Sequence, residues 1–264
     1  MGIPTPFYIA MMKKIESRSN PIIKNAFQIA KGKDSLVMIE GHKLLEEALK
    51  SGFIPEMIFV ENEAAFIYPN CFLNSCFLIT KKIMRELSTL QTPSEIVSFL
   101  KPPARPFLNE FITTSKLIVV LDRLQDPGNI GTIIRTSEAM GADAVFLLPG
   151  CCDKNNIKVT RGAMGSSFRL PIYDNLDVNY LFMLFNKHNF ETICADMSGK
   201  PIFNYKFSDK CAIFFGQEGQ GLSETILTQC KTKLAIPMQG QVESLNVATS
   251  AAIFLYEKNK NCPI

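Results

Sequence analysis

Three short stretches in the C-terminal part of the chain carry side chains suited to chemistry. The first, Asp122 to Thr136 (DRLQDPGNIGTIIRT), directly follows the apolar run Leu117–Leu121. Asp126-Pro-Gly-Asn129 is strong turn chemistry, and Asn129 is placed to cap the helix that begins there. Ile130, Ile133, Ile134 and Met140 share one helical face, and Gly141 supplies a C-terminal stop. Arg135 is charged yet adjacent to two of those isoleucines, so it points away from the core seam. The second stretch, Phe214 to Ser223 (FFGQEGQGLS), spaces its glycines as G-x-x-G-x-G. This is neither the dinucleotide fingerprint nor a P-loop, so it does not indicate a phosphate cradle. Such glycines let backbone amides and carbonyls approach a flat ligand closely, and Glu218 places an acid among them. The third stretch, Leu234 to Ala248 (LAIPMQGQVESLNVA), is a short strand, a polar loop and a helix start where Ser244 and Asn246 can cap free amides. Taken singly, each stretch also reads as ordinary local structure: a solvated arginine and a cap, a tight turn, a second cap.

The elements that position these stretches alternate. Leu117–Leu121, Ala144–Leu148, Thr192–Ala195 and Ala212–Phe215 are continuous apolar runs, as expected for strands buried on both faces. Helical segments lie between them near 129–140, 159–168 and 177–188. This pattern predicts an α/β fold with a mainly parallel sheet and helices on both faces, and ligands in such folds bind beyond the carboxyl ends of the strands. Upstream, Lys101-Pro-Pro-Ala-Arg-Pro106 breaks regular structure and stiffens the chain. It separates residues 1–104, a smaller α/β unit, from residues 105–264. In the smaller unit, helices are expected at 20–31, 42–50 and 81–88, with strands at 35–39, 57–60, 77–79 and 96–100.

Composition excludes several classes. The chain has 264 residues, 47% of them hydrophobic, which is enough for a large core. Formal net charge is +3, spread evenly over both halves, so any nucleic-acid contact must use local patches. No run reaches the 18 or so apolar residues that a membrane span needs. The N-terminus is no export signal, because its charges follow the apolar stretch and Pro4 and Pro6 interrupt it. Translation starting at Met11 or Met12 is compatible with the sequence, and residues 1–12 are expected to be disordered. Eight cysteines form no CxxC pair and only His42 and His188 accompany them, so a metal site is not expected. Reduced thiols and a cytoplasmic location are the default. His42 and His188 are read as structural and surface residues.

The three stretches, in this order and with the last near the C-terminus, resemble the SpoU branch of the SPOUT RNA methyltransferases over residues 116–257. The upstream unit, with Ile39-Glu-Gly-His-Lys-Leu-Leu-Glu46 and Thr92-Pro-Ser-Glu-Ile-Val97, resembles that family's RNA substrate-binding domain. The resemblance implies a C-terminal trefoil knot, S-adenosyl-L-methionine as cofactor, a homodimer with active sites near its interface, and structured RNA as partner. No DNA or membrane partner is implied. Backbone groups at Gly216, Ile236 and Leu245 would hold the cofactor, with Glu218, Gly219, Met238, Ser244, Asn246 and Ala248 beside it. Arg135 matches the family's essential arginine and Asn129 its first-motif asparagine.

The implied reaction is methyl transfer to a ribose 2′-hydroxyl, with ribosomal RNA favoured over transfer RNA. The family proposal makes the arginine a base, but a guanidinium effectively never gives up its proton. A forked grip of Arg135 on the phosphate beside the target ribose is the more conservative role. Ser244 or Asn246 would then orient the hydroxyl. Lys158, Arg161 and Arg169, around Gly-Ala-Met-Gly-Ser-Ser, are candidates for RNA backbone contact and equally for a solvated face. Lys13, Lys14 and Arg18 form a weaker candidate patch. Two rivals stand beside this reading: a non-catalytic RNA-binding protein that kept the fold, and a methyltransferase acting on an RNA base.

Overall fold

The computed structural model describes residues 12–31, 35–62, 68, 70–242 and 244–260. The disorder expected over residues 1–12 therefore falls, Met12 apart, outside the described residues. The chain forms two compact units. One runs up to Ala104 and includes Asn155–Ile157; the other comprises Arg105–Lys154 and the chain from Lys158 onward.

The first unit contains a five-stranded sheet built from β1 (Lys13–Ile15), β2 (Val37–Glu40), β3 (Ile54–Val60), β4 (Cys76–Ile79) and β5 (Ile96–Lys101). Its order is β1-β4-β3-β5-β2, with β5 antiparallel to both neighbours and the other pairs parallel. Helices α1 (Pro21–Ile29) and α3 (Lys81–Leu87) turn Ile23, Ala26, Ile83 and Met84 onto one face, against Phe59, Phe77 and Phe99. α1 begins where proline and an asparagine cap should start a helix: the Asn20 side chain accepts from the Ile22 N–H at 2.9 Å. α2 (His42–Lys50) buries Leu45 and Ala48 and packs against β2. The three-residue edge strand β1 is too short to leave a periodic signal.

The second unit carries a six-stranded, wholly parallel sheet: β6 (Leu117–Leu121), β7 (Ala144–Leu147), β8 (Ile172–Asp174), β9 (Glu191–Pro201), β10 (Cys211–Phe215) and β11 (Thr232–Ala235). The order is β11-β9-β10-β6-β7-β8. Alternation within each strand explains the apolar runs. Leu117, Val119, Leu121, Ile213 and Phe215 face one core with α5 (Pro127–Ala139), α6 (Ile157–Ala163) and α10 (Val247–Asn259). Ile118, Val120, Ala212 and Phe214 face a second core with α4 (Leu108–Thr114), α8 (Val178–Lys187) and α9 (Glu224–Gln229). There Phe182 and Phe214 stack with ring centroids 5.2 Å apart.

Four sequence expectations need correction. The cap of α5 is Asp126, not Asn129: its carboxylate accepts from the Gly128 and Asn129 N–H groups, and Pro127 takes the first helical position. The single helix expected at 159–168 is two, α6 and α7 (Ser166–Arg169), separated where Met164 and Gly165 both take positive φ. α4 follows the proline segment, where a strand was expected next. Finally, β9 does not end at Ala195. It leaves its partner after Cys194 and rejoins β11 at Lys200, so residues 195–199 bulge outward. Gly199 permits the rejoining, since a Cβ there would lie 2.5 Å from the Leu234 nitrogen.

Candidate active site

A cleft of about 430 Å³ opens beyond the carboxyl ends of β10 and β11 and beside the bulge within β9, a size ordinary for small-molecule sites. Its walls come from three places far apart in sequence. One is the glycine loop after β10. Gly216 fits there because a Cβ on it would fall 2.2 Å from the Gly221 carbonyl carbon, so the loop closes on itself through bare backbone. Gly221, at φ +65°, donates its N–H to the Gln217 carbonyl at 2.8 Å and turns the chain back. A second wall is the segment after β11, with Ile236, Met238, Ser244 and Leu245. The third is the β9 bulge, with Ala195, Asp196 and Met197.

The first stretch reaches this cleft through hydrogen bonds. The Asn129 side-chain amide donates to Glu218 Oε1. Its carbonyl oxygen accepts from Asn246 Nδ2 at 2.9 Å. Asn246 in turn caps α10, its Oδ1 accepting from the Ala248 N–H at 2.9 Å and the Thr249 N–H at 3.3 Å. Thus one continuous chain of amides and a carboxylate ties α5, the glycine loop and α10. The packing of α10 on α5, together with this cap, holds the third stretch in place.

Of the residues singled out from sequence, Gly216, Glu218, Gly219, Ile236, Met238, Ser244 and Leu245 line the cleft. Asn129 and Asn246 stand behind Glu218, and Ala248 is buried at the start of α10. Arg135 is not among the lining residues; it is exposed on α5. Six residues beyond Asn129, it sits about 9 Å along the helix axis and about 240° around it, so the two cannot share a face.

The other basic candidates divide. Arg169 grips Glu138, with Nε at 2.5 Å and Nη2 at 2.9 Å from the two carboxylate oxygens. That bond with Arg169, supported by Ser166, holds the Glu138 carboxyl below its ordinary range. Lys158 is exposed and Arg161 half-buried on α6. In the first unit, Lys14 pairs with Glu16 at 2.7 Å. Arg18 pairs with Glu86 at 3.2 Å and lies over the Phe27 ring, while Lys13 is exposed. His42 contacts the Tyr68 hydroxyl at 3.0 Å, and His188 ends α8.

Sequence reasoning missed the β9 bulge, because a strand that breaks and resumes looks like a strand that ends. It also assigned nothing to Asp122 and Arg123, which contact the glycine loop.

With this geometry in view, comparison with known proteins is decisive. The family model described as SpoU rRNA Methylase matches residues 116–256, more than half of the chain. The chain belongs to the SpoU rRNA methylase family. A second model, the MRM3-like substrate binding domain, matches residues 20–98 of this SpoU member. Among its relatives is the Bacillus subtilis (strain 168) 23S rRNA (guanosine(2553)-2′-O)-methyltransferase RlmP, 33% identical over 93% of this chain and 98% of the relative. The human mitochondrial rRNA methyltransferase 3 is 28% identical over 85% of this chain and 67% of its own length. In fold, this SpoU chain superposes on the AdoMet-bound rRNA methyltransferase from Sinorhizobium meliloti with a TM-score of 0.84. That match covers 96% of this chain and 100% of the other at 24% identity.

Proposed function

We propose that this chain transfers a methyl group from S-adenosyl-L-methionine to a ribose 2′-hydroxyl in structured RNA, ribosomal RNA in preference to transfer RNA. The observation that carries the reading is the Asn246–Asn129–Glu218 chain, which gathers the three family motifs at one cleft. The residues present fit the cofactor. Ile236, Leu245 and Met238 offer apolar surface for a flat ring, Glu218 and Ser244 offer polar partners, and the glycine loop offers backbone groups. Bound there, the cofactor would supply an electrophilic methyl on a sulfonium.

The chain's own task is alignment and charge. Gly216, Ile236 and Leu245 present backbone groups, and Gly219, Met238 and Ala248 shape the space beside them. Asn129 holds Glu218 in a fixed orientation from behind. Asn246 is committed: its oxygen caps α10 and its amide reaches Asn129. Ser244 therefore suits the orienting role better. Its hydroxyl lines the cleft and has no hydrogen-bond partner among the described residues. Arg135, exposed on α5, is assigned to the phosphate beside the target ribose, where a fork stabilises developing alkoxide charge.

The same reading assigns residues 1–104 to RNA binding, supported by the substrate-binding model that matches 20–98, and 105–264 to catalysis. Lys158 and Arg161, with Lys13, Lys14 and Arg18 of the first unit, are assigned to RNA contact; Arg169 serves first to hold Glu138. It further assigns a trefoil knot at the C-terminus, a homodimer and a cytoplasmic location. β11 pairs with β9, not with β10, and α10 returns to pack on α5, which supports a threaded C-terminus. Among the described residues no helix is long and apolar enough to cross a membrane.

The deciding experiment is transfer of tritiated methyl from the cofactor to unmodified total RNA, followed by nucleoside analysis. Label in alkali-resistant 2′-O-methyl nucleosides of ribosomal RNA is the expected result. Label on a base, or none at all with RNA still bound, overturns it in favour of one or other rival reading. Light scattering should give twice the chain mass; a monomer would remove the dimer.

A further inference from the structure

The glycine loop is gripped by two residues that line no part of the cleft. Asp122 follows β6 directly and is 4% exposed. Its Oδ2 accepts from the Ser223 N–H at 2.7 Å, which pins the far end of the loop to the central strand. The same oxygen lies 3.3 Å from Arg123 Nε. Arg123 then spans outward: Nη2 donates to the Gly221 carbonyl at 3.2 Å and Nη1 to Gln220 Oε1 at 3.5 Å. One planar guanidinium thereby joins a buried carboxylate to two residues of the cleft wall, a span that a lysine cannot reproduce.

Two features of the backbone serve this placement. Arg123 sits at φ +57°, a region that residues bearing a Cβ seldom occupy and that surrounding contacts must enforce. Opposite it, Gly150, itself at φ +92°, leaves room: a Cβ there would approach Arg123 Cγ to 3.1 Å. The side chain of Arg123 remains only about one-third exposed, at 34%, so its bonds to the loop are partly shielded from water. Among the described residues the loop otherwise closes on itself through the Gly221–Gln217 bond and the near contact at Gly216. Gly216, Gln220 and Gly221 all line the cleft.

We propose that Arg123 is a positioning residue that sets the shape of the 216–221 wall, and through it the affinity for the methyl donor. This rests on the cofactor reading of the cleft given above. Arg123 is not among the residues that line the cleft; it acts through Gly221 and Gln220.

The test compares the full-length parent with Arg123→Met and Arg123→Lys. Calorimetric titration with S-adenosylmethionine and with S-adenosylhomocysteine should show a roughly tenfold weaker affinity for both ligands in Arg123→Met, the scale of one charge-assisted hydrogen bond. Arg123→Lys, which reaches one acceptor at a time, should fall between. Amide exchange at Gly221 and Ser223 in ligand-free protein should speed up by about tenfold in the methionine variant. In Arg123→Lys, which keeps a cation beside the buried Asp122, the unfolding midpoint should stay within about 2 °C. With RNA, KM for the donor should rise while kcat holds within about twofold. Unchanged affinity and exchange overturn the proposal. So does a loss of affinity matched by a falling midpoint and a falling kcat, which marks general destabilisation. If the parent itself takes up neither ligand, the cofactor reading fails, and loop exchange alone still decides whether Arg123 holds the wall.

Discussion

Asn129 is held between two partners from distant parts of the chain, and both of its polar ends are used. The amide N–H fixes the Glu218 carboxylate, and the carbonyl receives Asn246. Asn129→Ala should leave a carboxylate without its donor at the cleft edge, where an unmet partner costs about 1–3 kcal/mol. We expect kcat/KM to fall by roughly ten- to a hundredfold in the transfer assay, with a nearly unchanged melting midpoint because Asn129 lies outside the core. A midpoint drop that accounts for the loss would make the asparagine a structural link only. Arg135 poses the opposite case, an exposed cation with no ion pair among the described residues. Arg135→Lys retains charge and removes the fork. On the bidentate reading kcat should drop by about a hundredfold or more, and near-parental turnover would refute the grip.

Element contacts set how closely the site can be assembled. α5 and α6 approach until backbone meets backbone: a Cβ on Gly131 would lie 2.7 Å from the Val159 carbonyl and 2.9 Å from the Gly162 Cα. Gly131→Ala should therefore cost about 1–3 kcal/mol by overpacking, seen as a lower denaturation midpoint. A midpoint equal to the parent's would show that α6 yields without strain. The same helix carries Glu138, whose bond to Arg169 lowers its pKa below the ordinary 4.5. A depressed carboxyl stabilises the fold above the unfolded value, and that contribution disappears as pH falls through the folded pKa. The denaturation gap between parent and Glu138→Gln should thus be present at pH 7 and close below about pH 4. The gap should be small, since both side chains are substantially wet. A gap that widens in acid would contradict the assignment.

At the scale of the molecule, packing around both sheets buries thiols along with the apolar residues, Cys76 in β4 of the first unit and Cys211 in β10 of the second. Burial pushes Cys76 and Cys211 up to about 12 and Cys151 up to about 11. A hydrogen bond with Cys194, reinforced by burial, raises Cys230 as well. Only the thiolate attacks a disulfide reagent, so these four positions should react far more slowly at pH 7.5 in the native protein than after denaturation. Peptide mapping after brief alkylation would read this directly, and rapid native labelling at Cys151 or Cys211 would count against the packing described.

Local signals were enough for much of this architecture. Strands β6, β7 and β10 are legible because sheets covered on both faces demand unbroken apolar runs, and α2 emerges with its ends as expected from its periodic leucines and the glycine beyond it. The three motifs were legible as motifs, because their glycines, caps and turn residues are local signals. What sequence could not disclose is anything that depends on which distant backbones meet. The β9 bulge and the Asp122–Arg123 grip on the glycine loop both arise from contacts between segments up to about a hundred residues apart, whereas the Asp126 cap is a local Asp-Pro signal that was misassigned to Asn129. Nor could spacing along α5 show that Asn129 bonds to Glu218 while Arg135 turns to solvent. Helical rotation sets their angle, but only the docking of α10 and the β10 loop on α5 decides which of the two faces the cleft.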